Sequence, residues 1–295
     1  MLKEKILLDT DIGSDIDDAV CLAYLLMEPR CELLGVTTVS GEPVERAMMV
    51  NAMLRVAGRT DIPVYPGAPE PLLTPMRQPK APQASRLAHW PHDTTFPQGK
   101  AIGFLRETIE KNPGEVTLLA IGPMTNAALL LGQDPSIAKK LKRIVLMNGS
   151  FLHELPGVGF NEWNSLNDPY ATAIVYKAAA KVHRSVGLDV TMQVQMDAKQ
   201  VENRFKHPLL QIVKDFSAVW FAHADLMTFH DPLACVSIFD EQILEYRRGL
   251  VEIELASKPL QGVTHFTPCK DGPHEIAVRV DKQRFFDSLF RVFEQ

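Results

Sequence analysis

The chain has 295 residues, 46% of them hydrophobic and 23% charged, and a formal net charge of −5. That size and apolar content suffice for one large α/β domain or two small ones, and an acidic balance with no Lys/Arg block argues against a nucleic-acid or membrane partner. Cys21, Cys31, Cys235 and Cys269 are scattered without CxxC spacing and read as reduced core thiols, while the apolar run after Lys3-Glu4-Lys5 is too short for a signal peptide or membrane span; a soluble, cytoplasmic protein is expected.

Short apolar runs alternate with amphipathic segments, the pattern of βαβ units. KILLD (5–9) reads as strand and 17–27 as helix, then LLGVTTVS (33–40) as strand, 43–58 as helix and IPVYPGA (62–68) as a short strand. VTLLAIG (116–122) is strand and 124–131 helix; RIVLMNG (143–149) is strand, 168–180 helix, and SVGLDVT (185–191) a buried strand. Segments 209–224 and 232–239 read as helices, LVEIEL (250–255) and EIAVRV (275–280) as strands, and 281–293 as a closing helix. Two stretches break this rhythm, 70–98, rich in Pro and His, and 150–167, rich in Gly and Asn; loops of this length are functional or disordered. With no repeat or composition shift to mark a boundary, one domain spanning 1–295 is expected: α/β, with a mainly parallel, Rossmann-like sheet flanked by helices and a site at the carboxyl ends of its strands.

The first strand runs into DTDIGSDIDDA (9–19), which holds Asp9, Asp11, Asp15, Asp17 and Asp18. One or two of these suit a helix start. Five carboxylates in a partly buried turn repel one another unless a cation sits among them, and a hard divalent ion bound by oxygens is the natural remedy. Further polar residues follow later strands: Ser40-Gly41-Glu42, Gly122 to Asn126, and Asn148 to Asn167. His230-Asp231 opens another helix; alone it reads as a helix cap with Pro at the first turn, but beside a metal site the histidine becomes a ready general acid.

DTDIGSDIDDA resembles the D-x-D-x-G…D-D-A signature of the inosine/uridine-preferring nucleoside hydrolases. LLAIGPMTNAAL (118–129), NEWN followed by NDP (161–169), GLDVT (187–191) and HDPLA (230–234) resemble the family's later blocks, in the same order and over essentially the whole chain. The resemblance implies a calcium-dependent enzyme of purine and pyrimidine salvage that hydrolyses the N-glycosidic bond of ribonucleosides, working as a homodimer or homotetramer. It implies that Asp11 ligates calcium and takes a proton from a metal-bound water, that Asp18, Asp231 and the main-chain carbonyl of Ile121 complete the ligand set, and that Asp17 and Asp231 receive sugar hydroxyls. Glu162 and Asn164 match residues that hold the 5′ and 3′ sides of the ribose, and His230 matches the acid that protonates the leaving base. The turn is two residues longer than is common in the family, so Asp15 has the spacing of the ribose-binding carboxylate; Asp17-Asp18 is preferred because Ala19 and the helix then stay in register. Glu42 stands where Asn is common, at the sugar edge, Asn161 replaces an Asn expected further upstream, and Trp163 takes the place of a smaller aromatic.

The chemistry suits these residues without the name. Breaking an N-glycosidic bond passes through an oxocarbenium-like sugar, which needs negative charge around the ribose, an activated water and an acid for the base. His89, His92 and Asp93 read as a flexible polar loop, against a lid or second metal site. Trp220 and His223 stand open between base pocket and packing, Met48, Met49 and Met53 read as core fillers, and Asn126 as a helix cap. Two rivals remain: a catalytically silent calcium-dependent nucleoside or sugar binder, and an aspartate-nucleophile phosphatase, since DTD after a first strand also opens such sites.

Overall fold

The computed structural model describes residues 3–294. In chain order its strands are β1 (Glu4–Thr10), β2 (Cys31–Thr38), β3 (Val64–Pro66), β4 (Val116–Ala120), β5 (Arg143–Met147), β6 (His183–Val186), β7 (Gln195–Asp197), β8 (Leu226–Thr228), β9 (Leu244–Ile253), β10 (Thr264–Pro268) and β11 (His274–Val280). Helices are α1 (Asp17–Met27), α2 (Pro43–Val56), α3 (Ala101–Lys111), α4 (Thr125–Gln133), α5 (Ile137–Lys140), α6 (Trp163–Asn167), α7 (Pro169–Tyr176), α8 (Leu188–Thr191), α9 (Ala198–Arg204), α10 (Pro208–Trp220), α11 (His230–Val236) and α12 (Lys282–Arg291).

Nine strands form one sheet in the order β10-β9-β11-β6-β5-β4-β1-β2-β3. From β3 across to β11 every pair is parallel, and only β9 runs against its neighbours β11 and β10. Alternation along the strands sorts side chains to two faces. Ile6, Leu8, Leu119, Val145 and Met147 join one core with α1, α2, α10, α11 and α12; Leu7, Leu118, Ile144 and Leu146 join a second core with α3, α4, α5 and α7. Both faces are covered, which is why the central strands read as unbroken apolar runs. The chain builds β1-β2-β3 outward in one direction and then returns to place β4 on the other side of β1. That reversal opens a crevice beyond the carboxyl ends of β1 and β4, the usual ligand position in such sheets.

The expected strand at 185–191 is corrected. The strand ends at Val186, and Leu188–Thr191 form one helical turn, because Asp189 turns its carboxylate onto the backbone N–H groups of Phe151 and Leu152 at 2.8 and 2.7 Å. The helix expected over 168–180 is shorter: Asp168 caps it through Ala171 N, and α7 ends at Tyr176, while α6 forms separately before it. Residues 82–89 form a 3-10 helix inside the 70–98 stretch expected to be a functional or disordered loop. Of the four thiols, Cys269 is exposed rather than in the core.

Candidate active site

Where β1 ends, Asp9 is fully buried and accepts hydrogen bonds from Thr37 Oγ1 at 2.5 Å and Asn126 Nδ2 at 2.7 Å. Asn126 also donates to Thr38 O at 3.0 Å and accepts from Ala68 N at 2.8 Å, so its amide joins the ends of β1 and β2 and the segment after β3 instead of capping α4. The following turn is held from behind by Arg46, a fully buried residue of α2. Its guanidinium donates to the carbonyls of Asp11, Ile12 (2.9 Å), Ser40 (2.8 Å) and Lys80 (3.1 Å) and to Ser14 Oγ (3.0 Å). Gly13 sits at φ +112°, and a Cβ there would meet Met49 Sδ at 2.8 Å, so this turn needs glycine.

Three buried carboxylates, Asp17, Asp18 and Asp231, each offer an oxygen within 4.8 Å of the other two. Thr10 Oγ1 donates to Asp18, and Asp231 N donates to Asp17 Oδ2 at 3.0 Å. Burial, then repulsion from neighbouring carboxylates, Asp11 and Asp15 among them, pushes all three carboxyls well above the ordinary range. Asp15 and Glu162 are pushed to about 7, chiefly by burial, and Asp11 is raised by burial against the pull of Arg46. Such a set of hard oxygen donors stays ionised only beside a cation, so the donor chemistry fits a divalent metal.

These groups line a cavity of about 480 Å³, a size usual for small-molecule sites. Asp11, Asp15, Asp17, Asp18, Ile121, Glu162, Asn164, His230 and Asp231 all reach its wall. The tight triad contains Asp17, expected to serve the sugar, whereas Asp11 lies on the same wall outside it. Ile121 O accepts from Asn164 Nδ2 at 2.7 Å, so two residues of the cavity wall are tied together. Glu162 caps α6, accepting from Asn164 N (2.6 Å), Ser165 N (2.9 Å) and Gly149 N (3.1 Å). His230 and Asp231 are delivered not by the main sheet but by α11, directly after β8 of the small antiparallel pair β7-β8. The imidazole Nδ1 lies 2.7 Å from Thr191 Oγ1, and burial lowers its pKa to about 4.

Two expected residues are not brought to the wall. Glu42 binds Lys80 Nζ at 2.6 Å and Ala81 N at 3.0 Å, and Asn161 is exposed on the loop before α6. Trp220 lines the cavity; His223 is exposed and does not. His89, His92 and Asp93 do not converge on a common point. His89 and Trp90 bond Asp215 of α10 at 2.8 and 3.0 Å, His92 turns to Trp90 O at 2.7 Å, and Asp93 pairs with Arg55 and Asn51 of α2. These bonds tie the segment to α2 and α10. Gln78, Lys80 and Met147 also line the cavity. No local pattern marks Gln78 in sequence, although Arg46 amid Ala47, Met48 and Met49 on a buried helix carries a signal.

A Rossmann-like sheet with a carboxylate-lined cavity at its switch point, a metal-competent aspartate triad and an adjacent imidazole defines an α/β enzyme site for a small polar substrate. Residues 6–287 match the family model described as inosine-uridine preferring nucleoside hydrolase. Uridine nucleosidase 1 of Arabidopsis thaliana is 33% identical, the match covering 85% of this chain and 78% of that protein. The inosine-uridine preferring nucleoside hydrolase of Crithidia fasciculata is 27% identical over 100% of this chain and 98% of its own. The solved structure of the inosine-uridine preferring nucleoside hydrolase from Bacillus anthracis superposes with a TM-score of 0.80 at 25% identity, covering 99% of each chain. The chain belongs to the inosine-uridine preferring nucleoside hydrolase family, and is thereby a ribonucleoside hydrolase.

Proposed function

We propose that this cavity hydrolyses ribonucleosides to free base and ribose in a calcium-dependent reaction. The observation that carries the reading is the convergence of Asp11, the Asp17/Asp18/Asp231 triad, Glu162 and His230 on one cavity at the switch point of a nucleoside hydrolase chain. Asp17, Asp18 and Asp231 would hold the ion, with Asp11 and Ile121 O on the same wall, and bound calcium would supply charge neutralisation and orientation of water and sugar hydroxyls.

The residues divide the work as follows. Asp11 accepts a proton from the attacking water as its oxygen bonds to C1′. The C1′–N bond breaks with its electron pair passing to the base, and the surrounding carboxylates, Glu162 among them, stabilise the positive charge that develops on the sugar. His230 supplies the proton that the departing base takes up. The donor is the imidazolium, which returns to neutral imidazole; burial lowers its pKa to about 4, so this form is the minor one near pH 7, and the Thr191 contact orients the ring. Direct attack inverts C1′. A cytoplasmic homodimer or homotetramer in nucleoside salvage belongs to the same proposal, supported by the composition and the family resemblance.

Incubation with uridine, cytidine, inosine, adenosine and guanosine, with and without a calcium chelator, tests the reading. Free base in at least one reaction, suppressed by the chelator and restored by calcium, is the expected result. Saturable ribose binding with no base released from any nucleoside would replace it with a silent binder.

A further inference from the structure

One polar contact in the site joins two loops that are remote in sequence. Trp163, the first residue of α6, is 49% exposed at the cavity mouth, and its indole Nε1–H donates to Gln78 Oε1. Gln78, buried on the other long loop, donates from Nε2 to Asp11 Oδ2. Each end fixes the middle. An indole N–H can only donate and a carboxylate can only accept, so the Gln78 amide has one orientation that satisfies both. The other Asp11 oxygen, Oδ1, lies against Gly122, where an added Cβ would stand 2.9 Å away, and the Asp11 backbone carbonyl is bound by Arg46.

We propose that Gln78 is a positioning residue for Asp11, with Trp163 holding the Gln78 amide the right way round. The inference rests on the reading of Asp11 as the base. An aspartate able to rotate about its terminal bond would present the accepting oxygen to water in only part of its conformers; Gln78 removes that freedom before substrate arrives. Trp163 contributes through a ring nitrogen that no phenylalanine or tyrosine offers in that place. If the contact were only a staple between two loops, its loss would loosen the cavity and raise KM without singling out turnover.

Two near-isosteric variants separate these cases. Gln78→Glu keeps an acceptor for Trp163 and loses the donor to Asp11; Trp163→Phe keeps the ring and loses the N–H. With the nucleoside that the wild type hydrolyses best, Gln78→Glu is expected to lower kcat by about a hundredfold with KM within about threefold, the scale of a misplaced reacting group. Trp163→Phe is expected to cost about tenfold, and the double variant to be no slower than Gln78→Glu, as for residues acting through one another. Unchanged kcat in Gln78→Glu, or additive losses dominated by KM, would overturn the proposal.

A second readout needs no turnover. In protein labelled with ¹⁵N-tryptophan, the Trp163 indole N–H resonance, identified by its loss in Trp163→Phe, should shift in Asp11→Asn through the intervening amide. An unmoved resonance overturns the relay. An inert wild type whose Trp163 signal still responds to Asp11→Asn would remove the hydrolase reading and leave the relay standing.

Discussion

Asp11 and Asp15 lie on the same turn and both face the cavity, yet their surroundings differ. Asp11 is tied to Gln78 and faces Arg46 charge, whereas among the described residues the one bond to the Asp15 side chain comes from Ile16 N at 2.6 Å. Asp11→Asn should therefore lower kcat by about 10²–10⁴-fold, the usual range for a general base; Asp15→Asn should cost less than about tenfold. Steady-state kinetics on one nucleoside check this, and equal collapse in both variants would reassign the base. His230 needs a test by leaving group. His230→Ala is expected to cost about a hundredfold on inosine or uridine and little on p-nitrophenyl riboside, whose leaving group needs no proton. Equal slowing of both substrates would make His230 a residue that positions the sugar or the loop. In sequence these aspartates and His230 were legible because the motif spacing and the repulsion of crowded carboxylates point to them. Gln78 was not: a glutamine in a Pro-rich loop has no signature until the fold supplies its partners.

Between elements the tolerances are narrow. Gly122 follows β4 at the switch point, and a Cβ there would stand 2.8 Å from Val39 Cγ1 and 2.9 Å from Asp11 N. Neither neighbour can retreat easily, since one is buried core and the other backbone. Gly122→Ala should destabilise the protein by about 1–3 kcal/mol and lower kcat, because the displaced atom belongs to the proposed base. Thermal unfolding with parallel kinetics checks the pair, and a variant with both values unchanged would show that the crevice has slack. At this scale the sequence foretold α1 to the residue, and β1, β2 and β4 within about two, as unbroken apolar strands and an apolar segment opened by an acidic pair are self-declaring. It misplaced 185–191, where the apolar spacing suits a strand but Asp189 is claimed by the backbone of another loop.

For the whole molecule, calcium and protons are the two external variables. An ion bound by the Asp17/Asp18/Asp231 triad and absent from the unfolded chain stabilises the fold by mass action, about 2.7 kcal/mol at a hundred times Kd. Tm should rise with calcium, fall with chelator, and lose both responses in Asp231→Asn. A Tm indifferent to calcium would argue against the site. Protons act on His183, buried in β6 beside His274 with Nδ1 unpartnered, where burial and then His274 lower its pKa from the ordinary 6.5 to about 3. Below pH 6.5 the unfolded chain takes up a proton that the native histidine refuses until about pH 3. Stability is therefore full above the unfolded value and falls as pH drops through that window, at a slope on the order of 1.4 kcal/mol per unit. Since the raised carboxylates act in the opposite sense, the check is the difference between wild type and His183→Gln in urea midpoint from pH 6.5 to 4.5. Parallel curves would contradict it.

By itself the sequence determined what local order and chemistry can encode: alternating strands and helices, five aspartates at the first turn, the His230-Asp231 pair, and an acidic overall balance. Only the tertiary structure decided which polar groups meet. It drew Glu42 away to Lys80, left Asn161 exposed, moved Asp17 into the triad with Asp231, which lies 214 residues on in the chain, and buried Arg46 behind the turn. The physical reason is that helix and strand formation depends on neighbours a few residues apart, whereas a carboxylate's partner is set by which chain ends the sheet order brings within hydrogen-bond reach.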